Sequence, residues 1–267
     1  MSDATAWSGG SFGSTATCVL APNPGMMTLD GTNTWVLRDP DSSRSVVVDP
    51  GPSIASHLDA IDAVAGDVSV VLLTHHHADH SEAAREYAER RGCGVRALDP
   101  SLRLGSEGLG EGDVVSVGGL EVHVVATPGH TSDSVCLVVP QDRALLTGHT
   151  VLGRGTTVVA HPDGQLGAYL SSLERLHALC GDQGITTVWP GHGPVIDDAR
   201  GVLEGYLAHR RQRLDQVEAA LATLPADVDD PARAVVEIVY ADVDPVLWDA
   251  AELSVRAQLT YLADRPQ

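Results

Sequence analysis

Metal-binding side chains are concentrated in one short stretch of the chain, LLTHHHADHSEA, which covers residues 72–83. Directly after a run of apolar residues it places His75, His77, Asp79 and His80. Imidazole and carboxylate groups are ligands of zinc and similar divalent metals, and a catalytic site needs several of them to converge while one coordination position stays open. Because a loop that leaves a strand can turn alternating side chains toward one point, the H-x-H-x-D-H spacing predicts a metal centre rather than a solvated polar loop.

Three further histidines occupy similar positions later in the chain. They lie in the segments ATPGHTSDS, LLTGHTVLG and VWPGHGPV, as His130, His149 and His192. Each follows an apolar, strand-like run and is preceded by glycine, which lets the backbone turn tightly and approach a ligand closely. Together with the first stretch they predict a single constellation at the ends of several strands.

The other histidines have less specific surroundings. His76 alternates away from its two neighbours, so we predict a structural role for it. His57, His123 and His177 fall inside ordinary strand or helix patterns, which is typical of surface or core residues. His161, in VVAHPDG, is a candidate substrate-binding residue, although a plain turn histidine fits the same pattern.

The motifs THHHADH, TPGHTSDS, TGHTVLG and WPGHGPV together resemble the metallo-β-lactamase superfamily of metal-dependent hydrolases, and more narrowly its beta-lactamase-like protein 2 branch. The resemblance extends from about residue 23 to the C-terminal region. Supporting segments are TLDGTNTWVL, DPGP, GRGTTVV and a helical tail that opens with HRRQR. It implies an α/β (α+β) fold, a four-layer αββα sandwich followed by a C-terminal helical, winged-helix-like module.

The resemblance also implies a set of metal ligands. The first site would be formed by His75, His77 and His130, and the second by Asp79, His80 and His192. In most relatives the residue at position 149 is an aspartate that bridges both ions, whereas this chain has His149. The implied cofactor is zinc, as one or two ions, with manganese or iron as alternatives.

The histidine at position 149 has a physical consequence. A carboxylate can join two cations and offset their repulsion, but a neutral imidazole gives one nitrogen to one metal. Two divalent ions about 3.5–4 Å apart repel by about 15–20 kcal/mol at an effective dielectric constant near 20. We therefore predict that the second ion is held more weakly than in relatives, or that the site works with one ion.

The implied reaction is hydrolysis by metal-bound hydroxide. Asp79 would hold the metal or the attacking water and accept a proton, so it is a candidate catalytic residue together with His149. Ligating histidines usually donate their second N–H group to an oxygen. For that role we predict Asp49 and Thr74.

Valine-rich runs bounded by Gly, Pro and Asp predict the strands that position these residues. They begin at residues 34, 45, 68, 120, 134, 144 and 185. Helical spacing predicts helices over 53–66, 80–92 and 166–181. After residue 197 only helical patterns remain, so we predict a catalytic domain over 1–196 and a helical domain over 197–267.

Composition limits the possible partners and compartment. The chain of 267 residues has a formal charge of −19 and no lysine, which disfavours nucleic acid as a partner. Its cysteines are far apart and predict reduced core residues: Cys18, Cys93, Cys136 and Cys180. No apolar leader or 20-residue apolar run is present, so we expect a cytoplasmic protein without membrane insertion. The lysine-free, arginine-rich composition is typical of a GC-rich bacterial genome.

Three functions remain open at this point. The first is hydrolysis of a small ester, thioester or lactone, which suits the acidic surface. The second is cleavage of single-stranded RNA, in which the HRRQR run of residues 209–213 would contact phosphates; Arg210 is the candidate substrate-binding residue, and a charged outer helix face is the simpler interpretation. The third is a catalytically impaired binding protein, because of His149 in place of the bridging aspartate.

Overall fold

A computed structural model describes residues 6–225 and 227–265, and two facing β-sheets form its centre. The first sheet contains β1 (Gly10–Phe12), β2 (Ala16–Leu20), β3 (Asn33–Leu37), β4 (Arg44–Val48), β5 (Asp67–Leu72) and β6 (Gly94–Arg96), in that spatial order. The second contains β7 (Val114–Val117), β8 (Leu120–Ala126), β9 (Val135–Val139), β10 (Ala144–Gly148) and β11 (Thr187–Pro190). Its spatial order is β11-β10-β9-β8-β7, with β10 and β11 parallel.

Alternation along the strands separates the core between the sheets from the cores under the helices. On β8, Val122 and Val124 face the space between the sheets, while Val125 faces the helices on the other side. Trp35 and Trp189 meet in the central core with their rings stacked, 5.2 Å between centroids. Both faces of each sheet are thus covered, which requires an outer helical layer on either side.

Helices provide these two outer layers. The helices are α1 (Ala55–Ala65), α2 (Ala78–Ser81), α3 (Ala84–Arg91), α4 (Leu166–Gln183), α5 (Ala199–Leu221), α6 (Pro231–Val239) and α7 (Trp248–Ala263). The first sheet is covered by α1 and α3, and the second by α4 and the first half of α5. The predicted four-layer αββα sandwich is therefore confirmed. Among the described residues, no helix combines the length and apolar character needed to cross a bilayer.

The C-terminal part is helical, as predicted. Asp230 caps α6 by accepting hydrogen bonds from the backbone N–H groups of Ala232 and Arg233. A small core joins Val235 on α6 and Val255 on α7 to Val217 on the second half of α5. Because α5 contributes to this core and to the sandwich, it ties the two parts together; we keep the division between residues 196 and 197 as a proposal.

The structure adds four strands that the sequence analysis did not predict, namely β1, β2, β6 and β7. It also divides the predicted helix over 80–92 into α2 and α3. The backbone N–H of Ala83 donates to the carbonyl oxygen of Gly51 instead of to a helical partner, which interrupts the helix. The predicted stop is correct, because Gly92 ends α3 in the left-handed conformation, φ 69°.

Candidate metal centre

The seven predicted ligands come together at one edge of the sandwich. His75 and His77 follow β5, His130 follows β8, His149 follows β10 and His192 follows β11. They form two groups, His75, His77 and His130 in one and Asp79, His80, His149 and His192 in the other. Within each group the ligand atoms lie within 4.8 Å of one another. The structure thus brings together every residue that the sequence analysis proposed as a ligand.

Glycine is required immediately before two of these histidines. Gly148 has φ 48°, and a Cβ atom there would lie 2.6 Å from Oγ1 of Thr74. Gly129 has φ 141°, and a Cβ atom would lie 2.3 Å from the Cα of Tyr169. Since only glycine tolerates both the backbone conformation and the close contact, these turns fix the directions in which His149 and His130 leave their strands.

Hydrogen bonds behind the centre fix three of the imidazole rings. The Nδ1–H groups donate to oxygen atoms as follows: His80 to Oδ2 of Asp49 at 2.8 Å, His130 to the carbonyl of Val158 at 2.7 Å, and His192 to the carbonyl of Gly31 at 3.0 Å. Because the acceptor oxygen favours a proton on Nδ1, Nε2 is the nitrogen that can bind a metal. Nε2 of all three rings thus faces the centre, where a bound metal would take the place of any second proton on the ring.

The nitrogen atoms that face the centre fit a metal site. Nε2 of His80 lies 3.1 Å from Nε2 of His192, and Nε2 of His130 lies 3.1 Å from Nδ1 of His77. Lone pairs at this separation repel unless a cation or a proton lies between them. Buried polar atoms in proteins nearly always have a partner. Two here have none within the described chain, Nε2 of His75 and Nδ1 of His149, and ligation would satisfy both.

Burial keeps several of these imidazoles neutral, which is the form that binds metals. It lowers the pKa of His75 and of His149 well below the ordinary value, and the neighbouring imidazoles add to the effect. Burial likewise lowers the pKa of His130 to about 3. For His80, burial acts in the same direction, but the carboxylate of Asp49 outweighs it and raises the pKa to about 10. A metal at His80 would therefore displace a proton.

Asp79 is the carboxylate among the seven candidates, and it is ionised. Burial alone would raise the pKa of Asp79, but hydrogen bonds from His192 and His80 hold it well below its usual range. Its Oδ2 lies 3.1 Å from Nε2 of His192 and 3.3 Å from Nε2 of His80. The side chain is 27% exposed, so the carboxylate can reach both the centre and solvent.

Asp49 and Thr74, which the sequence analysis predicted as hydrogen-bond partners of ligating histidines, contact two of the candidate ligands. Asp49 accepts hydrogen bonds from the backbone N–H of Thr74 at 2.8 Å and from its hydroxyl at 2.7 Å. The same hydroxyl lies 3.0 Å from Nδ1 of His75. Asp49 therefore supports His80 directly and His75 through Thr74. Both residues thus make hydrogen bonds to candidate ligands, as the sequence analysis predicted.

Two other predicted residues lie away from the ligand groups. Nδ1 of His76 pairs with Asp133 at 2.8 Å, in agreement with a structural role. His161 lines a separate cavity with Pro162, Ala257 and Tyr261, and its backbone N–H donates to Leu253. That cavity does not include a candidate ligand, so its position gives no support to the expectation that His161 binds substrate at the centre.

A cavity of about 340 Å³ reaches the centre at His149. It lies between the loops of the sandwich, α5 and the C-terminal helices. Its apolar lining includes Met26, Met27, Leu29, Leu152, Val243 and Leu247. Met26 and Met27, which are 56% and 47% exposed, were not predicted to line the cavity; two adjacent methionines in a loop are the signal that could have indicated them.

Arg210, predicted as a candidate for binding substrate, lines the cavity and is buried. The simpler interpretation as part of a charged outer helix face is therefore wrong for this residue.

Comparison with known proteins gives matches over both parts of the chain. The model of the metallo-beta-lactamase superfamily matches residues 27–182, and that of the beta-lactamase associated winged helix domain matches residues 232–265. A beta-lactamase-like protein 2 homolog of Drosophila melanogaster is 30% identical over 91% of this chain and 86% of its own length.

Two further similar proteins extend the comparison. An atrochrysone carboxyl ACP thioesterase of Aspergillus fumigatus is 34% identical over 77% of this chain and 64% of its own length. A beta-lactamase domain protein from Burkholderia ambifaria has a solved structure that is 25% identical, with a TM-score of 0.79, covering 96% of this chain and 88% of that one.

Proposed function

The chain belongs to the metallo-beta-lactamase superfamily, and we propose on this basis that it is a metal-dependent thioesterase for a small acyl thioester. Its family and fold are those of a hydrolase. One observation carries the choice of substrate: two groups of buried ligand side chains meet a largely apolar cavity at His149. A cavity of this kind suits an acyl chain whose thioester carbonyl reaches the centre.

The similar fungal protein that is named a thioesterase supports this choice. The present chain spans 64% of that protein's length, so the activity is carried over here as a proposal. An oxygen ester or a lactone offers the same kind of carbonyl group. The hydrolysis of thioesters is therefore tested beside these two classes.

We assign the cation-binding roles to the two groups described above. His75, His77 and His130 would hold one ion, and Asp79, His80, His149 and His192 a second. Six imidazoles with one carboxylate suit zinc, and manganese and iron are the alternatives to test. A bound divalent cation would lower the pKa of a ligated water and polarise the thioester carbonyl.

The chain's own residues supply proton acceptance and orientation. Asp79 is ionised and partly exposed, so it can accept a proton from the attacking water and return it to the thiolate leaving group. Asp49 holds the ring of His80, and the carbonyl of Val158 holds that of His130. The four cysteines are free, which supports the proposed cytoplasmic location.

The test uses the full chain, stripped of metal and reloaded with zinc, manganese or iron. Octanoyl-N-acetylcysteamine, the matching oxygen ester, a lactone of similar size and a single-stranded RNA are offered as substrates, and products are separated by chromatography. We expect metal-dependent release of octanoate from the thioester. The variant His75→Ala should lose at least about 100-fold in rate.

His123→Ala is the matched control, because His123 lies on β8 beside Glu121 and belongs to neither ligand group. It should retain the parent activity. Thioester hydrolysis that is unchanged by chelation or by His75→Ala would contradict the proposal, and so would a metal-loaded protein that hydrolyses no thioester. In the second case, metal and ligand binding without turnover would favour the impaired binding protein.

The arginines do not favour RNA as the substrate. Arg211 points outward, is 65% exposed and pairs with Glu174 at 3.1 Å. Arg210 and Arg213 instead line the cavity. Since Arg211 does not share the helix face of Arg210 and Arg213, the three arginines do not form the continuous strip that would follow a phosphate backbone.

A further inference from the structure

Two arginines of α5 reach the cavity beside the candidate metal centre. Arg210 and Arg213 are three positions apart and therefore lie on the same face of the helix. Arg210 is 7% exposed. Within the part of the chain that the structure describes, neither guanidinium is paired with a carboxylate.

The contacts of Arg210 leave its charge without a counter-ion. One of its NH2 groups donates to the carbonyl of Thr157, and its Cζ lies 5.1 Å from the ring centroid of Tyr169. Its Nε is buried and has no hydrogen-bond partner among the described residues. An arginine side chain cannot discharge itself by losing a proton, and a buried charge is costly unless it is paired. The site therefore favours an incoming anion.

The other side chains that line the cavity around Arg210 also favour an anion. Arg213 donates to the carbonyl of Val239 at 3.2 Å, and its Cζ lies 4.6 Å from the ring centroid of Tyr240, which leaves its remaining N–H groups for a ligand. Nδ1 of His209 is a further buried atom without a partner in the described chain. The described lining contains three arginines and no aspartate or glutamate, although the whole chain has 36 acidic residues against 17 basic ones.

The rest of the cavity is suited to an apolar group. Met26 and Met27 lie on one side of it, and Val243 and Leu247 come from the C-terminal part. Methionine side chains are flexible and polarizable, so they adapt to acyl groups of different shapes. The cavity thus combines an adaptable apolar surface with a buried positive charge.

We propose that Arg210 and Arg213 form an anion-binding site, and that the substrate is an acyl thioester with an apolar chain and an anionic group. This inference rests on the proposed thioesterase function. The anion is either a carboxylate on the acyl part or a phosphate on the thiol part. Both would accept charge-assisted hydrogen bonds from the guanidinium groups.

A purely positioning role for Arg210 makes a different prediction. Thr157, whose carbonyl accepts from Arg210, donates its hydroxyl hydrogen bond to the carbonyl of His149 at 2.7 Å. The neighbouring Val158 holds His130. If Arg210 only braced this loop, its loss would slow the hydrolysis of charged and neutral thioesters equally. The decisive measurement is therefore the preference between matched substrates, not the rate on one of them.

The experiment compares two pairs of thioesters on the metal-loaded full chain. The first pair is octanoyl-N-acetylcysteamine and the mono-thioester of suberic acid with the same thiol, which differ by a terminal carboxylate. The second pair is octanoyl-pantetheine and octanoyl-phosphopantetheine. We expect the parent to prefer the anionic member of one pair by at least about 10-fold in kcat/KM, and the pair that shows the preference identifies the source of the anion.

Arg210→Gln and Arg213→Gln should each lower kcat/KM for the anionic member at least about 10-fold more than for the neutral member. Arg210→Lys keeps the positive charge but lacks the planar guanidinium with its parallel N–H donors. It should therefore retain part of the preference for the anionic substrate. Arg211→Gln is the matched control, because this exposed neighbour pairs with Glu174 outside the cavity, and it should keep the full preference. Circular dichroism establishes that each variant is folded.

Several outcomes would overturn the inference while leaving the thioesterase function intact. They are the absence of an anion preference in the parent, or an equal loss on both members of a pair in the folded variants. If no thioester is hydrolysed at all, the thioesterase function fails and binding decides about the site. Calorimetric titrations then compare octanoate with octanamide, and phosphopantetheine with pantetheine. Tighter binding of one anion that is lost in Arg210→Gln supports the site, and equal affinities overturn it.

Discussion

At the scale of single residues, His149 sets this centre apart from the carboxylate-bridged arrangement that the family resemblance implies. Its ring stacks on that of His130, with 4.4 Å between centroids and an interplanar angle of 20°, and lies 4.6 Å from the ring of His192. Its ligand atom belongs to the second group. An imidazole in this place adds no negative charge and binds from one side. The attraction that would hold two cations close together is therefore reduced.

The variant His149→Asp should restore that attraction. We expect the parent to retain a single tightly held ion per chain after dialysis, and the variant to retain a second. Elemental analysis of both proteins, loaded in parallel with the same metal, measures the ratio. Two tightly held ions in the parent would show that the imidazole is an adequate replacement for a bridging carboxylate.

Asp49 provides a test of the support behind the ligands. It accepts the Nδ1–H of His80 and both hydrogen bonds from Thr74, so Asp49→Asn should misorient His80 and lower metal affinity by about 10- to 100-fold. Competition with a chromogenic chelator measures the affinity. Asp133→Asn is the control, since Asp133 supports His76, which lies outside both ligand groups. If Asp49→Asn and the parent bind metal with equal affinity, Asp49 does not support the ligands.

The ligand residues could be predicted from the sequence because their chemistry and their spacing are local. Four of them lie within six positions, and three follow strand-like runs with glycine before them. The role of Arg210 could not be predicted in this way. Which face of α5 turns inward depends on how the helix packs against the sheet and the C-terminal helices, and that packing is not local.

At the scale of elements, the N-terminal hairpin of β1 and β2 was missed because β1 has only three residues and lies among glycines and serines. A side chain from the other sheet holds its turn. Asp142 accepts hydrogen bonds from the backbone N–H groups of Ser14 at 2.6 Å and Thr15 at 3.0 Å, and from both hydroxyls. The turn is thus stabilised by a contact over more than 100 positions of sequence, which local propensity does not reveal.

Replacing the carboxylate of Asp142 should destabilise the fold in a pH-dependent way. Burial alone would raise the pKa of Asp142, but the hydrogen bonds from Thr15 and Ser14 lower it below its ordinary value. Its folded-state pKa is then lower than its unfolded-state pKa. The stabilisation is therefore present above about pH 4 and is lost as the pH falls through the folded-state pKa.

Asp142→Asn should lower the free energy of unfolding by about 1–2 kcal/mol at neutral pH, since the carboxylate is partly solvated. The difference from the parent should shrink as the pH falls below about 4, toward the lowered folded-state pKa of Asp142. Urea denaturation at several pH values measures it. Asp215→Asn, at an exposed position of α5, is the control and should have little effect. A difference that stays constant as the pH falls below about 4 would show that the charge of Asp142 does not contribute.

At the scale of the whole molecule, the charge of −19 and the cavity that lacks acidic residues act on different partners. The negative electrostatic potential at the protein surface repels a polyanion, whereas a small anion that enters the cavity contacts Arg210 and Arg213. We therefore expect no saturable binding of a fluorescently labelled single-stranded RNA at about 150 mM salt. Tight binding that weakens steeply with salt, and that is lost when Arg210, Arg211 and Arg213 become alanine, would contradict this.

The layered architecture could be predicted because strand runs and amphipathic helices alternate along the sequence. The position of the cavity could not, because it arises where three separated segments meet: residues 26–29, the loop 152–158 and the helices after residue 209. The second half of α5 carries the C-terminal helices, so their placement over the centre depends on this shared helix.

The most direct test of the metal centre is anomalous X-ray diffraction from crystals of the protein loaded with zinc, manganese or iron. We expect an anomalous peak within bonding distance of His75, His77 and His130, and a second, weaker peak beside Asp79, His80, His149 and His192. Anomalous peaks confined to other residues, or none in a folded protein offered all three metals, would contradict it.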